Sequence, residues 1–435
     1  MGNERYQLDT VATLFPSTAR KNWRNLCRTQ VVLTEPVDPE VLQQALDDLM
    51  PRFPTFFLSL ANDAFQFYLK ESNERVMVRP DSERPFVVMS DREARTNCLR
   101  VMYRGNRIAL EFFHALTDGM GSYFFLCTLV ARYLELKHGI AVPAEGMVRD
   151  ISQAPSAEEM EDGCLKHGAA VAGKLSDRPS FILRGKREPG GLVHVTTGVA
   201  DTAKLLDAAH RHGVSLTAFL AAVVIFSVME MQDLTVPRKR QKPVHITIPV
   251  DLRKLFGSDT LRNFTMVLNP GIDPRLGTYS FDEICKSLHY QIRIGATRQN
   301  MAGKIAAAAN LRKSPIFGLT PLFLKNLGID LVYEFGGEKC GCMSFSNLGV
   351  VTLPEAMEPY VDHFESILGP LRSVPHNCGI ASYGGKTFIN FTRTIRETEL
   401  EERFFTHLRE LGVSADISCD GIPAALPGLI PKSAS

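Results

Sequence analysis

Tryptophan is almost missing from this chain, with Trp23 the single example among 435 residues. An excess of either charge is missing too: 49 Lys plus Arg stand against 48 Asp plus Glu. Such a chain has no global field to draw in nucleic acid or an anionic membrane, and neither is expected as a partner. No run reaches the ~18 consecutive apolar residues of a transmembrane segment. The opening Met-Gly-Asn-Glu-Arg-Tyr lacks the basic flank and apolar stretch of a secretory signal, and lacks Ser or Thr at the sixth position for myristoylation. Nine cysteines run from Cys27 to Cys419, and the one close pair, Cys340 and Cys342, is separated by a single residue, which is neither zinc nor redox spacing. Reduced thiols in the cytoplasm are the expectation. The eleven histidines are dispersed, and His210 with His212 has no further ligand nearby, so no metal is expected. A P-loop, a Gly-x-Gly-x-x-Gly turn and a Gly-x-Ser-x-Gly elbow are all missing, which leaves a serine hydrolase little support.

What is present has a globular balance, 45% hydrophobic and 22% charged, in a chain long enough for two domains with a core each. The organising stretch is Arg107-Ile-Ala-Leu-Glu-Phe-Phe-His114-Ala-Leu-Thr-Asp118-Gly119-Met-Gly121. Residues 107–113 read as a strand, and Met120, Phe124, Cys127, Val130, Ala131 and Leu134 follow a helical period to about Lys137. A histidine at such a strand tip can be aimed, because a rigid element carries it. Three fixed positions make His-x-x-x-Asp-Gly only moderately specific. A satisfied strand-end histidine followed by an aspartate helix cap would look the same.

Around this stretch, residues 23–34 suggest a strand, and Asp38-Pro39 opens a helix with Val41, Leu42, Ala45, Leu46, Leu49 and Met50 buried. Arg52 follows, at the entry to a meander of short strands. Residues 141–191 carry scattered prolines, Gly190-Gly191 and the cluster Glu158-Glu159-Met-Glu161-Asp162, read as a crossover whose acids form a solvated face. A second half opens with a strand at 192–198, a helix capped by Asp201 and a strongly apolar helix from Leu216 to Met231. Later come Pro249-Val-Asp251-Leu-Arg253, Arg262-Asn263-Phe264, and an amphipathic helical stretch at 280–300. Residues 314–335 are apolar and broken by Pro315, Gly318, Pro321 and Gly328; they line a pocket or, as the favoured reading, form core. A small-polar strand at 342–349, a hairpin turning on Gly384-Gly385, a helix from Arg396 to about Leu411 and a loose tail complete the chain.

His114, Asp118 and Gly119 resemble the active-site motif of the chloramphenicol acetyltransferase-like superfamily. That group includes alcohol acetyltransferases, plant BAHD acyltransferases, wax ester synthases and peptide-synthetase condensation domains. The likeness extends over most of the chain and is greatest to the alcohol acetyltransferase and condensation-domain branch. It implies an α/β, layered α+β fold of two similar subdomains with a tunnel at their interface: 1–145 carrying the motif, 146–191 as linker, 192–423 as the second subdomain, and 424–435 as tail. The implied activity moves an acyl group, acetyl by the closest likeness, from a coenzyme A thioester directly to an alcohol or amine. His114 is then the general base, acyl-CoA the co-substrate, and a small or lipid-like alcohol the acceptor, with no bound cofactor. Asp118, grouped with the active site, is implied to turn away from the histidine and pair with an arginine, for which Arg52 and Arg253 both qualify. Gly119 and Asn263 support the loop. Ser346, or Ser344 on the same face, is implied to present a hydroxyl to the oxyanion. Two features depart from the wider group: Phe113 stands where many members carry a second histidine, and the Asp-Phe-Gly-Trp-Gly signature of the plant branch is absent. A condensation-type enzyme fed by a carrier protein, and a catalytically silent binding module, are the alternatives.

Overall fold

The computed structural model describes residues 5–20, 25–72, 74–82, 84–168, 179–314, 318–336 and 338–423. Trp23, Pro315 and the tail from 424 lie outside them. The first half is built on a sheet ordered Val361–Leu368, Leu26–Leu33, Arg107–Phe113, Leu99–Arg104, Arg79–Pro80, antiparallel except for the last pair. Helix Pro39–Leu49 begins where expected: the Asp38 carboxylate accepts the Glu40 and Val41 N–H groups, and Pro39 occupies the first turn. Its stripe of Leu42, Ala45, Leu46 and Leu49 is buried, and it packs on helix Gly119–His138, which also lies over strand Leu26–Leu33. Gly139 ends that helix in the left-handed region at φ +66°, where a side chain would be strained.

Side chains alternate between the faces of a strand, so the two faces of this sheet differ sharply. On one face Arg28 and Glu111 stand directly opposite each other and join by an ion pair of 3.0 Å, extended by Asp81 and by Arg100, which reaches Glu111 at 3.0 Å. The other face carries Cys27, Thr29, Val31, Leu110 and Phe112.

The second half has a sheet ordered Ser344–Val350, His376–Tyr383, Lys386–Arg393, His194–Asp201, Ala415–Cys419, Ile422–Pro423. Helix Leu216–Thr235 is long and apolar enough, by length and composition alone, to cross a membrane. It is instead wrapped: Phe219, Leu220, Val223, Val224 and Val228 are buried in the second core, beneath helices Phe281–Gly295 and Glu399–Glu410. The hairpin turns on Gly384 and Gly385, both at positive φ. The halves also exchange an element. Strand Val361–Leu368 lies in the chain between two strands of the second half's sheet, Ser344–Val350 and His376–Tyr383, but pairs with Leu26–Leu33 along its whole length.

Two expectations need correction. The acidic cluster is not a solvated face: Glu159 is buried against Arg52, and Asp162 accepts from Thr10 and pairs with Arg312 at 2.7 Å. Glu158 and Glu161 alone keep that role, paired to Lys166 near the surface. The side chains described in 314–330 are not core either. Most of the stretch forms helix Leu322–Gly336, which continues through Gly328, and Leu319, Phe323 and Leu327 are 77%, 71% and 59% exposed. Composition alone does not tell an apolar stripe facing a cavity or solvent from one facing a core. The stretch at 280–300 is two helices, Phe281–Gly295 and Arg298–Lys313.

Inside the second half lies a buried polar cluster of His376, Arg393 and Glu401. Arg393 reaches Glu401 at 3.1 Å, while neither ring nitrogen of His376 has a hydrogen-bond partner among the described residues, its Nε2 standing 3.7 Å from Glu401 Oε2. Burial and the Arg393 charge push the His376 pKa down to about 3. Burial lifts the Glu401 carboxyl to about 7, against the pull of Arg393.

Candidate functional site

Strand Arg107–Phe113 delivers His114 to the seam between the halves. The backbone N–H of His114 donates to the Asn25 carbonyl at 2.9 Å, continuing the pairing with the neighbouring strand past its last residue. Phe15 stacks on the imidazole at 4.4 Å between ring centroids, and Phe112 meets it edge-on at 6.4 Å. From the second half, Asn263 clamps the residue twice: its Oδ1 lies 2.9 Å from Nδ1 and its Nδ2 donates to the His114 carbonyl at 3.0 Å. Nδ2 also donates to the Asp9 carboxylate at 3.1 Å. Both partners of that amide nitrogen can only accept, which fixes the amide so that Oδ1 faces the ring. Nδ1 therefore carries a proton, and Nε2 is left as the nitrogen that exchanges one. Burial alone would lower the His114 pKa, but the neighbouring Cys27 and, less strongly, Asp118 outweigh it and lift it to about 9.

Asp118 does not bond to the imidazole. It is only 1% exposed, and its two oxygens accept four hydrogen bonds: from Gly121 N–H at 3.0 Å, Phe264 N–H at 2.9 Å, and Arg253 Nη2 and Nη1 at 3.0 Å each. It is both the cap of the motif helix and one side of a bidentate ion pair that crosses between the halves. Of the two candidate arginines the structure thus selects Arg253. That guanidinium is further held by Asp251 at 2.8 Å and by the carbonyls of Thr260 and Arg262 at 2.7 Å each. Arg52 acts elsewhere. It forks onto Glu159 at 2.6 and 3.0 Å and donates to the Asp150 carbonyl, tying the crossover to the first half. Among the described residues, neither Asp118 nor Arg253 makes a hydrogen bond to the imidazole.

Two glycines shape the turn. A Cβ on Gly121 would stand 2.1 Å from Thr117 Oγ1 and 2.4 Å from the Leu261 carbonyl, which Thr117 Oγ1 itself hydrogen-bonds at 2.6 Å. That position admits no side chain. Gly119 is less constrained, its nearest obstacle being the tip of Leu348 at 3.2 Å. Leu348 belongs to strand Ser344–Val350, so this contact brings the small-polar strand against the first turn of the motif helix. Ser346, two residues earlier, is buried, and its hydroxyl has no hydrogen-bond partner among the described residues. Ser344 is half-buried, and its backbone N–H donates to Asn377 Oδ1 at 3.1 Å.

Three residues at this site, Asp9, Phe15 and Cys27, carry no mark in the sequence. Asp9 and Phe15 lie in a short N-terminal segment without periodicity, and Cys27 becomes visible only through the strand register. The segment bearing Phe15 also walls a cavity of about 350 Å3, whose lining includes Thr13, Ser17, Phe65, Leu322 and Lys325. The apolar stretch that ends in helix Leu322–Gly336 thus borders a pocket, the less favoured of its two sequence readings.

No protein-family model matches the sequence, and no curated protein matches it. Solved structures do match in fold. TRI101 from F. sporotrichioides, complexed with coenzyme A and T-2, superposes with a TM-score of 0.64 at 12% identity over 95% of this chain and 99% of its own. The first condensation domain of the CDA synthetase gives 0.58 at 17% identity, covering 98% of each chain. TRI3 trichothecene 15-O-acetyltransferase from Fusarium sporotrichioides gives 0.57 at 12% identity over 93% and 94%. At such identities the likeness is one of fold.

Proposed function

We propose that this chain, whose fold is that of the chloramphenicol acetyltransferase-like superfamily, is an acyltransferase that moves an acyl group from a coenzyme A thioester to an alcohol or amine. The observation that carries the reading is the clamp on His114. A histidine at the seam between the halves has one nitrogen tied to Asn263 and the other free to exchange a proton. An alcohol must lose its proton as it attacks, and an aimed imidazole is the side chain suited to take it. Neighbours of the same fold that were solved with coenzyme A support the donor, and a neighbour described as a 15-O-acetyltransferase supports acetyl as the group to try first. Ser346 is proposed to donate its hydroxyl to the oxyanion of the tetrahedral intermediate; its burial and its unpartnered hydroxyl support that role. The cavity beside the Phe15 segment, with Phe65 and Leu322 in its wall, suits an apolar group on donor or acceptor. A carrier-protein donor is the second reading, supported by the end-to-end fold match to a condensation domain.

The test is acceptor-dependent thiol release from acetyl-CoA and longer acyl-CoAs, read with a thiol reagent across a panel of alcohols and amines. Turnover is expected for the wild type and a loss of ~100- to 10,000-fold for His114→Ala, the usual contribution of a general base. A His114→Ala protein that keeps more than about a tenth of kcat removes the histidine from the chemistry.

A further inference from the structure

The chain has almost no net charge, yet one short stretch of it is strongly unbalanced. Between Pro237 and Pro243 run Arg238, Lys239, Arg240, Gln241 and Lys242. A single 3-10 turn, Arg238–Arg240, opens the stretch just past the end of helix Leu216–Thr235. All four cations are exposed, and none of their side chains has a hydrogen-bond or ion-pair partner among the described residues. Arg28, Arg52, Arg100, Arg253 and Arg393, by contrast, are each tied to a carboxylate. The turn is nonetheless fixed in place. Gln232, 1% exposed, brackets Lys242 from the helix, accepting its N–H at 2.8 Å and donating to its carbonyl at 3.0 Å. Gln241, also buried, donates to Asp233 Oδ1 at 2.5 Å and to the Val236 carbonyl at 3.3 Å. The glutamine among the cations thus turns inward and occupies the neighbouring carboxylate, while the cations stay in solvent. A second turn, Pro274–Leu276, packs against the first. It adds Arg275, held by Asp273 at 2.6 Å, and Leu276, which is 79% exposed. Leu234, in the last turn of the helix, is 72% exposed. Both leucines are among the most exposed large apolar side chains of the described residues.

Unpaired cations call for an anionic partner, and bare leucines gain only if that partner is apolar just beneath its charge. An anionic phospholipid leaflet has both layers. Arginine and lysine suit it further, since their stems lie along the acyl boundary while their charges stay among the headgroups. A nucleic acid would leave the leucines in water, and its sites stack bases on aromatic rings, which neither turn carries. We propose that the turns at 238–242 and 274–276 dock this protein onto an anionic membrane surface, with Leu234 and Leu276 entering at the headgroup boundary. Each basic residue at such a surface is worth roughly fivefold in partitioning, so the four unpaired ones together reach about several hundredfold. The neutral balance of the whole chain does not oppose this, because exposed charges more than a Debye length of ~8 Å away are screened at physiological salt.

Docking leaves the seam between the halves open. Helix Leu216–Thr235 starts there: Thr217 Oγ1 accepts from Asn347 Nδ2 at 3.1 Å, on the strand whose Leu348 touches Gly119. Its 20 residues span ~30 Å, which puts the basic turn at the far end of the helix from the His114 motif. Membrane docking and acyl transfer are therefore separable.

The experiment is sedimentation of the full chain with vesicles of phosphatidylcholine, alone or mixed with phosphatidylserine. The wild type is expected to sediment with the mixed vesicles and not with the neutral ones, and to be released at about 0.5 M salt, where the Debye length is below ~5 Å. Arg238→Gln, Lys239→Gln, Arg240→Gln and Lys242→Gln combined should weaken partitioning at least about 100-fold. Leu234→Ala with Leu276→Ala should weaken it about tenfold and leave its salt dependence unchanged. Both variants should keep the wild-type circular dichroism and Tm, so that lost binding is not lost folding. A wild type that ignores the mixed vesicles, or a variant without the four cations that binds them as well as wild type, overturns the proposal. Unchanged binding by the leucine variant also overturns it and assigns the turns to a soluble polyanion; duplex DNA binding more tightly than the vesicles would identify that case. Vesicle binding without any acyl-CoA-dependent turnover would sink the acyltransferase reading alone.

Discussion

Replacing Asp118 by Asn tests whether this residue holds the loop or takes part in the chemistry. The aspartate accepts four hydrogen bonds, two from backbone N–H groups and two from Arg253. An asparagine keeps one accepting oxygen, enough for Gly121 N–H and one guanidinium N–H. Its amide nitrogen must then face the Phe264 N–H and the other guanidinium N–H, donor against donor. A buried donor without an acceptor costs ~1–3 kcal/mol, and breaking a buried ion pair from one side costs ~3–5 kcal/mol. Arg253 keeps Asp251 and two carbonyls, so the loss belongs at the lower end, about 3 kcal/mol, or roughly a hundredfold in the folding equilibrium. Urea unfolding followed by far-ultraviolet circular dichroism reads that loss. Arg253→Met alone should cost a similar amount, and the double variant should lose at least ~1.5 kcal/mol less than the sum, because the partners fail together. Additive losses would show that the pair is not coupled. An unchanged midpoint with abolished turnover would refute the positioning role and make Asp118 a direct participant.

Gly121→Ala should destabilise the chain by a few kcal/mol or prevent soluble expression, since the new methyl meets Thr117 Oγ1 and the Leu261 carbonyl, whereas Gly119→Ala meets only a movable leucine tip and should unfold close to wild type. Equal effects would mean that the turn relaxes. Ser346→Ala should lower kcat and kcat/KM together, by ~100- to 1000-fold if its hydroxyl is the oxyanion donor, with KM nearly unchanged. A larger kcat defect in Ser344→Ala would shift the assignment by two residues, and no defect in either would move the oxyanion site elsewhere. The buried pair His376 and Glu401 gives opposed pH dependences. A histidine depressed to about 3 from 6.5 contributes stability in full above pH 6.5 that is lost as pH falls toward 3. A carboxyl raised to about 7 from 4.5 contributes stability below pH 4.5 that is lost as pH rises toward 7. The stability of wild type relative to His376→Gln should therefore rise by roughly 3 kcal/mol between pH 4 and 6.5, and relative to Glu401→Gln it should fall across a similar interval. Urea midpoints of wild type and both variants moving in parallel with pH would show that neither group titrates as described.

The parts of this fold legible in the sequence are those decided within one element. Strand Arg107–Phe113, helix Gly119–His138 and the Asp38 cap announce themselves through period, turn glycines and capping chemistry. The arrangement at the site is decided elsewhere. Asp118 meets Arg253 across 135 positions of chain and His114 meets Asn263 across 149, separations for which a single sequence has no local signal. Resemblance could name both partners, but Arg52 looked equally fit for Asp118, because only packing reveals that Glu159 already holds it. The same blindness explains the acidic cluster. A run of carboxylates reads as solvated until buried cations are found beside it, as Arg52 and Arg312 are. Cys27 is the sharpest case. Nothing about it distinguishes it from eight other cysteines until the strand register turns it toward the histidine.

The loan of strand Val361–Leu368 to the first half's sheet sets a schedule for synthesis. When the ribosome has made the motif, its helix and the crossover, strand Leu26–Leu33 still presents one unpaired edge of backbone donors and acceptors, because the segment that covers it is encoded near the far end. The nascent first half must wait, with an open edge of the kind that recruits other chains. A gene cut at the crossover would thus yield an amino-terminal fragment that aggregates alone and a carboxy-terminal fragment with an orphan strand. Co-produced, the fragments would rescue each other. The first half's sheet is thus closed by a strand made well after the motif it supports.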